Sequence, residues 1–153
     1  MKNHHVILVL YVNDLFLTGE EHLIAQTNRQ LSIEFEIKDL GLMHYFLGLE
    51  VWHKPGEIFL SQRSYAVDVL RIFGMLDYKS MTIAMIYNLE KLHDQDTGSD
   101  PKDLTVYHLI IGSLMYLVHT RPDICYTVNA LSQFMCEPKH IHMFVAKHIL
   151  RYV

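Results

Sequence analysis

The residues best placed to do chemistry come early. They are Asn13 and Asp14, held in the run VILVLYVNDLFLTG from Val6 to Gly19. Two β-rich apolar segments flank this polar pair, the pattern of a tight β-hairpin with Asn13–Asp14 at its turn. A carboxylate at such a tip can hold a hard divalent cation through oxygen. Phosphoryl transfer between two metal ions needs anionic oxygens that bridge ions roughly 3.5–4 Å apart. Asp14 supplies one carboxylate, whereas the Asn13 carbonyl oxygen is neutral and does not replace a bridging carboxylate at equal strength. The pair therefore reads three ways: a working tip, a damaged one, or a turn in which Asn and Asp tolerate positive φ.

Other reactive residue types form weaker patterns. The eleven histidines cluster most closely as His4–His5 and His140-x-His142. Neither grouping has the i,i+4 spacing with a carboxylate that a zinc protease uses, so scattered surface or partly buried imidazoles are the reading. Cys125 and Cys136 lie outside any C-x-x-C pairing, which argues against a disulfide framework and for a reducing compartment. Glu90–Lys91 and Asp94–Asp100 read as a solvated loop, and Arg121-Pro122-Asp123 as a helix start with a local Arg–Asp contact.

The 153 residues suit one domain with a real core, half of them apolar and a fifth charged. Thirteen Lys+Arg against 17 Asp+Glu give a formal charge of −4. That balance argues against autonomous tight binding to nucleic acid while leaving room for a local basic groove. No secretory signal is apparent and Val6–Val12 is too short to cross a bilayer, so no membrane partner and an intracellular site of unspecified compartment are expected.

The elements that must position these groups follow from periodicity. Val6–Val12 and Leu15–Thr18 read as the strands of the opening hairpin. Thr18 followed by Glu21 has the spacing of a capping box, opening a helix over roughly Glu20–Phe35 with Leu23, Ile24, Leu31 and Phe35 near one face. Lys38–Gly41 breaks the pattern. Tyr45–Trp52 and Glu57–Gln62 are strand-like, joined by a turn at Lys54-Pro55-Gly56. Ser61 or Gln62 opens a helix carrying Tyr65, Ala66, Val69, Leu70 and Phe73, and Gly74 is a plausible stop. His93–Asp103 reads as a polar linker. Three helical stretches follow: Tyr107–His119 with Ile110, Leu114, Leu117 and Val118 on one side, Asp123–Cys136 behind Pro122, and Lys139–Val153. Two hairpins with a helix between them, a linker and a helical tail make an α+β fold with segregated parts.

Taken together, the blocks carry a family likeness. YVNDLFLTG, EFEIKDLGLMHYFLGLEV, IFLSQRSYAVDVLRIFGML, YHLIIGSLMYLVHTRPDICYTVNALSQFM and AKHILRYV, in this order and spacing, resemble the reverse transcriptase of copia-type retrotransposons nearly end to end. The resemblance implies an RNA-directed DNA polymerase, two divalent metals (usually Mg²⁺), and a template–primer of RNA and DNA as partner. It implies a partial palm over residues 1–76 with the catalytic tip at Asn13 and Asp14, Asp14 as metal ligand. It further implies a linker over 77–103 and a helical thumb or connection start over 104–153. Phe46, Leu47, Gly48, Leu49 and Glu50 are similar to a primer grip, and the helix around Leu109–Leu117 to the thumb helix along the duplex. Lys38, Arg63, Arg71 and Arg121 are then candidate phosphate contacts. Trp52 and Tyr45 read either as core or as rings that stack on a primer terminus.

The departures from the family pattern set further expectations. Asn13 stands where the family tip has the first of two aspartates, and a third, upstream carboxylate has no counterpart. His108 replaces a common arginine, and Met81–Met85 replaces a proline-bearing stretch. A truncated, catalytically inactive polymerase remnant is expected, with weak residual template–primer binding and an opening hairpin that leaves apolar surface exposed. The alternatives are a non-catalytic module binding nucleic acid or protein, and a polymerase subunit completed by another chain. Oligomeric state stays open.

Overall fold

The computed structural model describes residues 5–83 and 103–153, with mixed α and β elements in two compact units, Met1–Met43 and His44–Val153. This mixture agrees with the α+β expectation; the division falls inside the span expected for the palm. Among the described residues no helix is long and apolar enough to cross a membrane.

In the first unit, β1 (Val6–Tyr11) and β2 (Asp14–Gly19) pair antiparallel from Val6 opposite Gly19 to Tyr11 opposite Asp14. The turn is therefore Val12–Asn13 rather than Asn13–Asp14, because Asp14 already belongs to the ladder. Val12 adopts φ 53°, a left-handed conformation that a β-branched residue rarely takes. Ile7, Leu8, Val9, Leu10 and Tyr11 are all exposed, as expected for this hairpin. Helix α1 (Glu21–Glu34) starts at Glu20 in extended backbone, without a side-chain capping hydrogen bond. Thr18 lies in β2 opposite Ile7, so the expected capping box does not form. Leu23, Ile24 and Leu31 are half-buried, while Phe35 lies past the helix end and is exposed.

The second unit opens with a three-stranded antiparallel sheet of β3 (Tyr45–Phe46), β4 (Leu49–Lys54) and β5 (Glu57–Ser61). The stretch expected as one strand, Tyr45–Trp52, folds back on itself. Leu47 and Gly48 both take positive φ, 47° and 77°, the signs of a two-residue hairpin turn. The β4–β5 turn is Pro55–Gly56, with Lys54 opposite Glu57. Helix α2 (Arg63–Ile72) follows with Gln62 as its N-cap. It closes at Gly74 (φ 64°), with Met75 N–H donating to Leu70 C=O at 2.7 Å and Gly74 N–H to Arg71 C=O at 3.1 Å. Those two bonds are a Schellman close, and buried Met75 supplies its apolar contact.

Helix α3 (Leu104–Leu117) starts at Asp103, whose side chain accepts from Val106 N–H at 3.2 Å. Tyr107, Ile110, Ile111, Leu114 and Leu117 recur at helical spacing and are fully buried. Pro122–Ile124 forms a single 3₁₀ turn leading into α4 (Cys125–Ser132). The helix expected to run to Cys136 stops at Ser132, and Gln133 and Phe134 close it by donating back to Ala130 and Leu131 carbonyls. Helix α5 (His140–Tyr152) begins where Lys139 N–H donates to His142 Nδ1 at 2.8 Å. Val69 and Met75 join Ile124, Val128, Leu131, Val145, Ala146, Ile149 and Leu150 in one core around α3. Burying one such side chain contributes about 1.5–3 kcal/mol. Most of the expected linker, residues 84–102, lies outside the described residues.

Candidate functional site

Asp14 is exposed at the first position of β2, and Asn13 is the exposed second residue of the turn. Both polar groups of the tip face solvent, so they are free to meet a ligand. Together they offer one carboxylate and one neutral amide oxygen. Among the described residues no group of three or more His, Cys, Asp or Glu side chains is gathered for a metal ion. This donor set does not fit a two-Mg²⁺ centre, which calls for several anionic oxygens.

The grip-like turn is held from elsewhere in the second unit, with Tyr116 making the direct side-chain contact. The Tyr116 hydroxyl donates to the Leu47 carbonyl, at the apex of the β3–β4 turn. Gly48 lies directly beneath this hydroxyl: a Cβ there would stand 2.2 Å from it. Tyr116 also packs edge-on against Tyr65, ring centroids 4.7 Å apart. Buried Gln62 donates through Nε2 to the Tyr116 carbonyl at 3.1 Å and accepts from the Thr120 hydroxyl at 2.8 Å. Phe46 and Leu49 pair across the turn and are half-buried. Glu50 accepts from Ser64 N–H at 2.8 Å and so caps α2 from a neighbouring strand. Its hydrogen bonds with Ser64, assisted by the nearby Arg63, hold its carboxyl below the ordinary value.

The four candidate phosphate contacts separate. Lys38 belongs to the first unit, exposed beside the Asp39–Gly41 turn. Arg71 is paired to Asp68 on the solvent face of α2. Arg63 and Arg121 come together, lining one open cleft of about 390 Å³ with Gln62, Thr120 and Val153. Arg121 is already engaged. Its Nε and Nη2 donate to the two Asp123 oxygens at 3.0 and 2.8 Å, Nη1 donates to the Val153 carbonyl at 3.3 Å, and the guanidinium lies 5.0 Å from the Tyr152 ring. The Tyr152 hydroxyl donates to the same carboxylate at 2.7 Å. Hydrogen bonding from Arg121 depresses Asp123 from 3.8 to about 2. The Arg–Asp contact foreseen at this helix start is present, and it occupies most of the guanidinium's donors.

Core packing does not hold for Trp52 and Tyr45, which are 61% and 65% exposed. The strand register explains why. Trp52 lies opposite Phe59 and Tyr45 opposite Glu50, so all four share one face of the sheet; on the other face Val51 is buried, while Ile58 and Leu60 of β5 are exposed. Phe59 is 45% exposed, with the Lys54 ammonium 4.8 Å from its ring centroid. Sequence periodicity did not reveal Tyr116, Gln62 or the capping role of Glu50. Their partners are 14 to 69 residues away, and only the apolar i,i+3,i+4 frame around Tyr116 hinted at an inward-facing ring.

The family described as reverse transcriptase (RNA-dependent DNA polymerase) matches residues 1–87. An uncharacterized mitochondrial protein of Arabidopsis thaliana is 42% identical over 147 residues, covering 95% of this chain and 60% of that protein. The retrovirus-related Pol polyprotein from transposon RE1 of the same plant is 42% identical over 149 residues, 97% of this chain and 10% of the polyprotein. The corresponding polyprotein from transposon TNT 1-94 of Nicotiana tabacum is 35% identical, covering 99% of this chain and 12% of its own length. The chain thus spans six-tenths of the first relative and about a tenth of the polyproteins. No solved structure matches.

Proposed function

The chain belongs to the reverse transcriptase (RNA-dependent DNA polymerase) family, with copia-type retrotransposon Pol polyproteins among its relatives, and from that premise we propose that it holds nucleic acid without adding nucleotides at its own tip. The observation that carries this is the tip itself: Asn13 stands beside Asp14, so the hairpin presents one negative oxygen group where two-ion chemistry needs more. Asp14 would remain a single-carboxylate ligand for a Mg²⁺ ion of the family's kind. In the second unit, the β3–β4 turn with Phe46–Glu50 acts as a grip on the primer end, braced by Tyr116. Helix α3 and its neighbours act as a thumb along the template–primer, with Arg63 as a phosphate contact and Arg71 and Arg121 held mainly by their own carboxylate partners; Lys38 is a separate candidate phosphate contact within the first unit.

A second reading has its own support. The exposed apolar β1 and the exposed rings of the second sheet favour an interaction module that binds nucleic acid or protein without chemistry.

Primer extension with Mg²⁺ on an annealed RNA template and DNA primer, beside a binding titration over a salt series, tests the proposal. Binding without extension is expected, with log K falling linearly in log salt. Mg²⁺-dependent extension by the unaltered chain would overturn it. Extension that appears with Asn13→Asp locates the deficit at the tip.

A further inference from the structure

We propose that the groove between the close of α2 and the exposed stripe of α5 binds a nucleotide, its base against the apolar lining and its phosphate between Lys147 and Arg151. None of the lining residues belongs to the hairpin tip, to the β3–β4 turn or to the cleft of Arg63 and Arg121, so the site stands apart from the reading above.

The groove is held open by polar ties. Phe73 and Met75 line it where α2 closes, and Tyr78 and Met81 line it from the strap of residues 78–83, which is neither helix nor strand. Helix α5 fixes this strap at three points. Met81 N–H donates to the Arg151 carbonyl at 2.9 Å, and Arg151 Nε and Nη2 donate to the Lys79 carbonyl at 3.2 and 3.1 Å. Buried His148 donates through Nε2 to the Ile83 carbonyl at 2.8 Å. Walls ordered beforehand spare a ligand the cost of ordering them. The volume, about 250 Å³, is small for a ligand pocket and suits one planar ring system rather than an extended chain. Its lining suits such a ring, because aromatic faces stack on it and the Met75 and Met81 thioethers pack at its edge.

Charge selects the rest of the ligand. Lys147 and Arg151 line the groove together with no carboxylate, on a chain whose formal charge is −4. Helix α5 itself contains no Asp or Glu. Among the described residues neither cation forms an ion pair, in contrast to Arg71 and Arg121. The two stand one turn apart on the same stripe, where like charges repel. The helix dipole favours Arg151 in the last turn, but Lys147 lies a turn further in and gains less from it. An anion set between them removes the repulsion. Arg151 is also aimed: its Lys79 contacts fix the guanidinium 6.0 Å from the Tyr78 ring centroid, and its Nη1 has no hydrogen-bond partner among the described residues. A planar donor held in this way matches phosphate oxygens. A phosphate joined to a planar heteroaromatic ring is a nucleotide, either free or at the end of a strand.

Methyl NMR of the full chain, isotope-labelled at the methionine ε-carbons, reads the site directly. Met75→Leu and Met81→Leu assign the two reporting signals. Adenosine monophosphate, adenosine, ribose phosphate and laurate are titrated in turn. The monophosphate should shift both methyls through the ring current of its base and saturate with a Kd below about 1 mM. Adenosine should bind at least about 5-fold more weakly, since it lacks the charge-assisted contacts. Lys147→Ala, at an exposed position, should weaken the monophosphate about 5- to 10-fold and leave adenosine unchanged, and Lys147→Arg should restore most of the loss. Equal affinity for adenosine and its monophosphate overturns the proposal, as does unchanged affinity in Lys147→Ala with intact helical circular dichroism. Methyl shifts no larger than those from ribose phosphate take the base out of the groove and also overturn it. Tighter binding of laurate does the same, by assigning the groove to a fatty acid. Displacement of the monophosphate by a single strand with a terminal phosphate, but not by the same strand ending in a hydroxyl, supports the proposal with a strand end as the source. Displacement by neither strand supports it with free nucleotide as the source, and equal displacement by both overturns it.

Discussion

Replacing Gly48 with alanine tests whether the grip-like turn is held by α3 or only rests near it. Two costs add. The residue keeps φ near +77°, which charges a side-chain-bearing residue about 1–2 kcal/mol. The new Cβ would also sit 2.2 Å from the Tyr116 hydroxyl and 3.1 Å from its ring carbon, so the hydroxyl must leave the Leu47 carbonyl. Losing that solvent-accessible hydrogen bond costs about 0.5–1 kcal/mol more. The sum is about 1.5–3 kcal/mol. Tyr116→Phe alone should cost only the hydrogen bond. In the double variant that bond is lost once rather than twice, so the pair should be less destabilised than the added singles by about 1 kcal/mol. Urea unfolding of the four proteins by circular dichroism gives the cycle directly. Additivity within about 0.5 kcal/mol, or a Gly48→Ala cost below that figure, would refute the argument that this contact braces the turn.

Two further outcomes are expected. Asp123 is depressed from 3.8 to about 2, so its contribution is present above pH 3.8 and lost as pH falls toward 2. The full shift corresponds to about 2.4 kcal/mol, but the side chain is 39% exposed, and solvent screening reduces this to about 1 kcal/mol or less. Asp123→Asn should therefore lower stability at pH 7 by that amount and flatten acid unfolding between pH 4 and 2; an unchanged acid limb counts against it. At the tip, Val12→Gly removes left-handed strain of about 1–2 kcal/mol but adds unfolded-chain entropy of about 0.5–1 kcal/mol. Amide exchange across Val6–Gly19 should slow or hold, and marked acceleration would show that Val12 is unstrained.

Much of the helical half is readable from periodicity, because Tyr107, Ile110, Ile111, Leu114 and Leu117 fall on one stripe and a stripe of that width has to be buried. The stop at Gly74 is legible for a similar reason: its left-handed close uses a residue suited to it. The turns failed where the chain places unusual residues at positive φ. Val12 and Leu47 are apolar, so they read as strand: the first displaced the expected hairpin turn by one residue, and the second hid a reversal of direction. Thr18 carries the cap signature but is held in β2 by pairing with Ile7, a tertiary preference stronger than the local one. Tyr45 and Trp52 read as core by composition. Tyr45 comes to share a face with Trp52 only through the hidden Leu47–Gly48 turn. The expectation for the tip, by contrast, rests on two letters, Asn13 and Asp14.

The exposed hairpin has a kinetic consequence. Val6–Tyr11 is a six-residue stretch without charge or proline, and its apolar side chains are largely in water. Such an edge pairs with any similar strand it meets. Encounter between chains is second order, so the working life of a solution of this protein is governed by its concentration before its melting temperature. Halving the concentration should quarter the initial rate of loss, whereas a stabilising substitution in the α3 core should leave that rate nearly untouched.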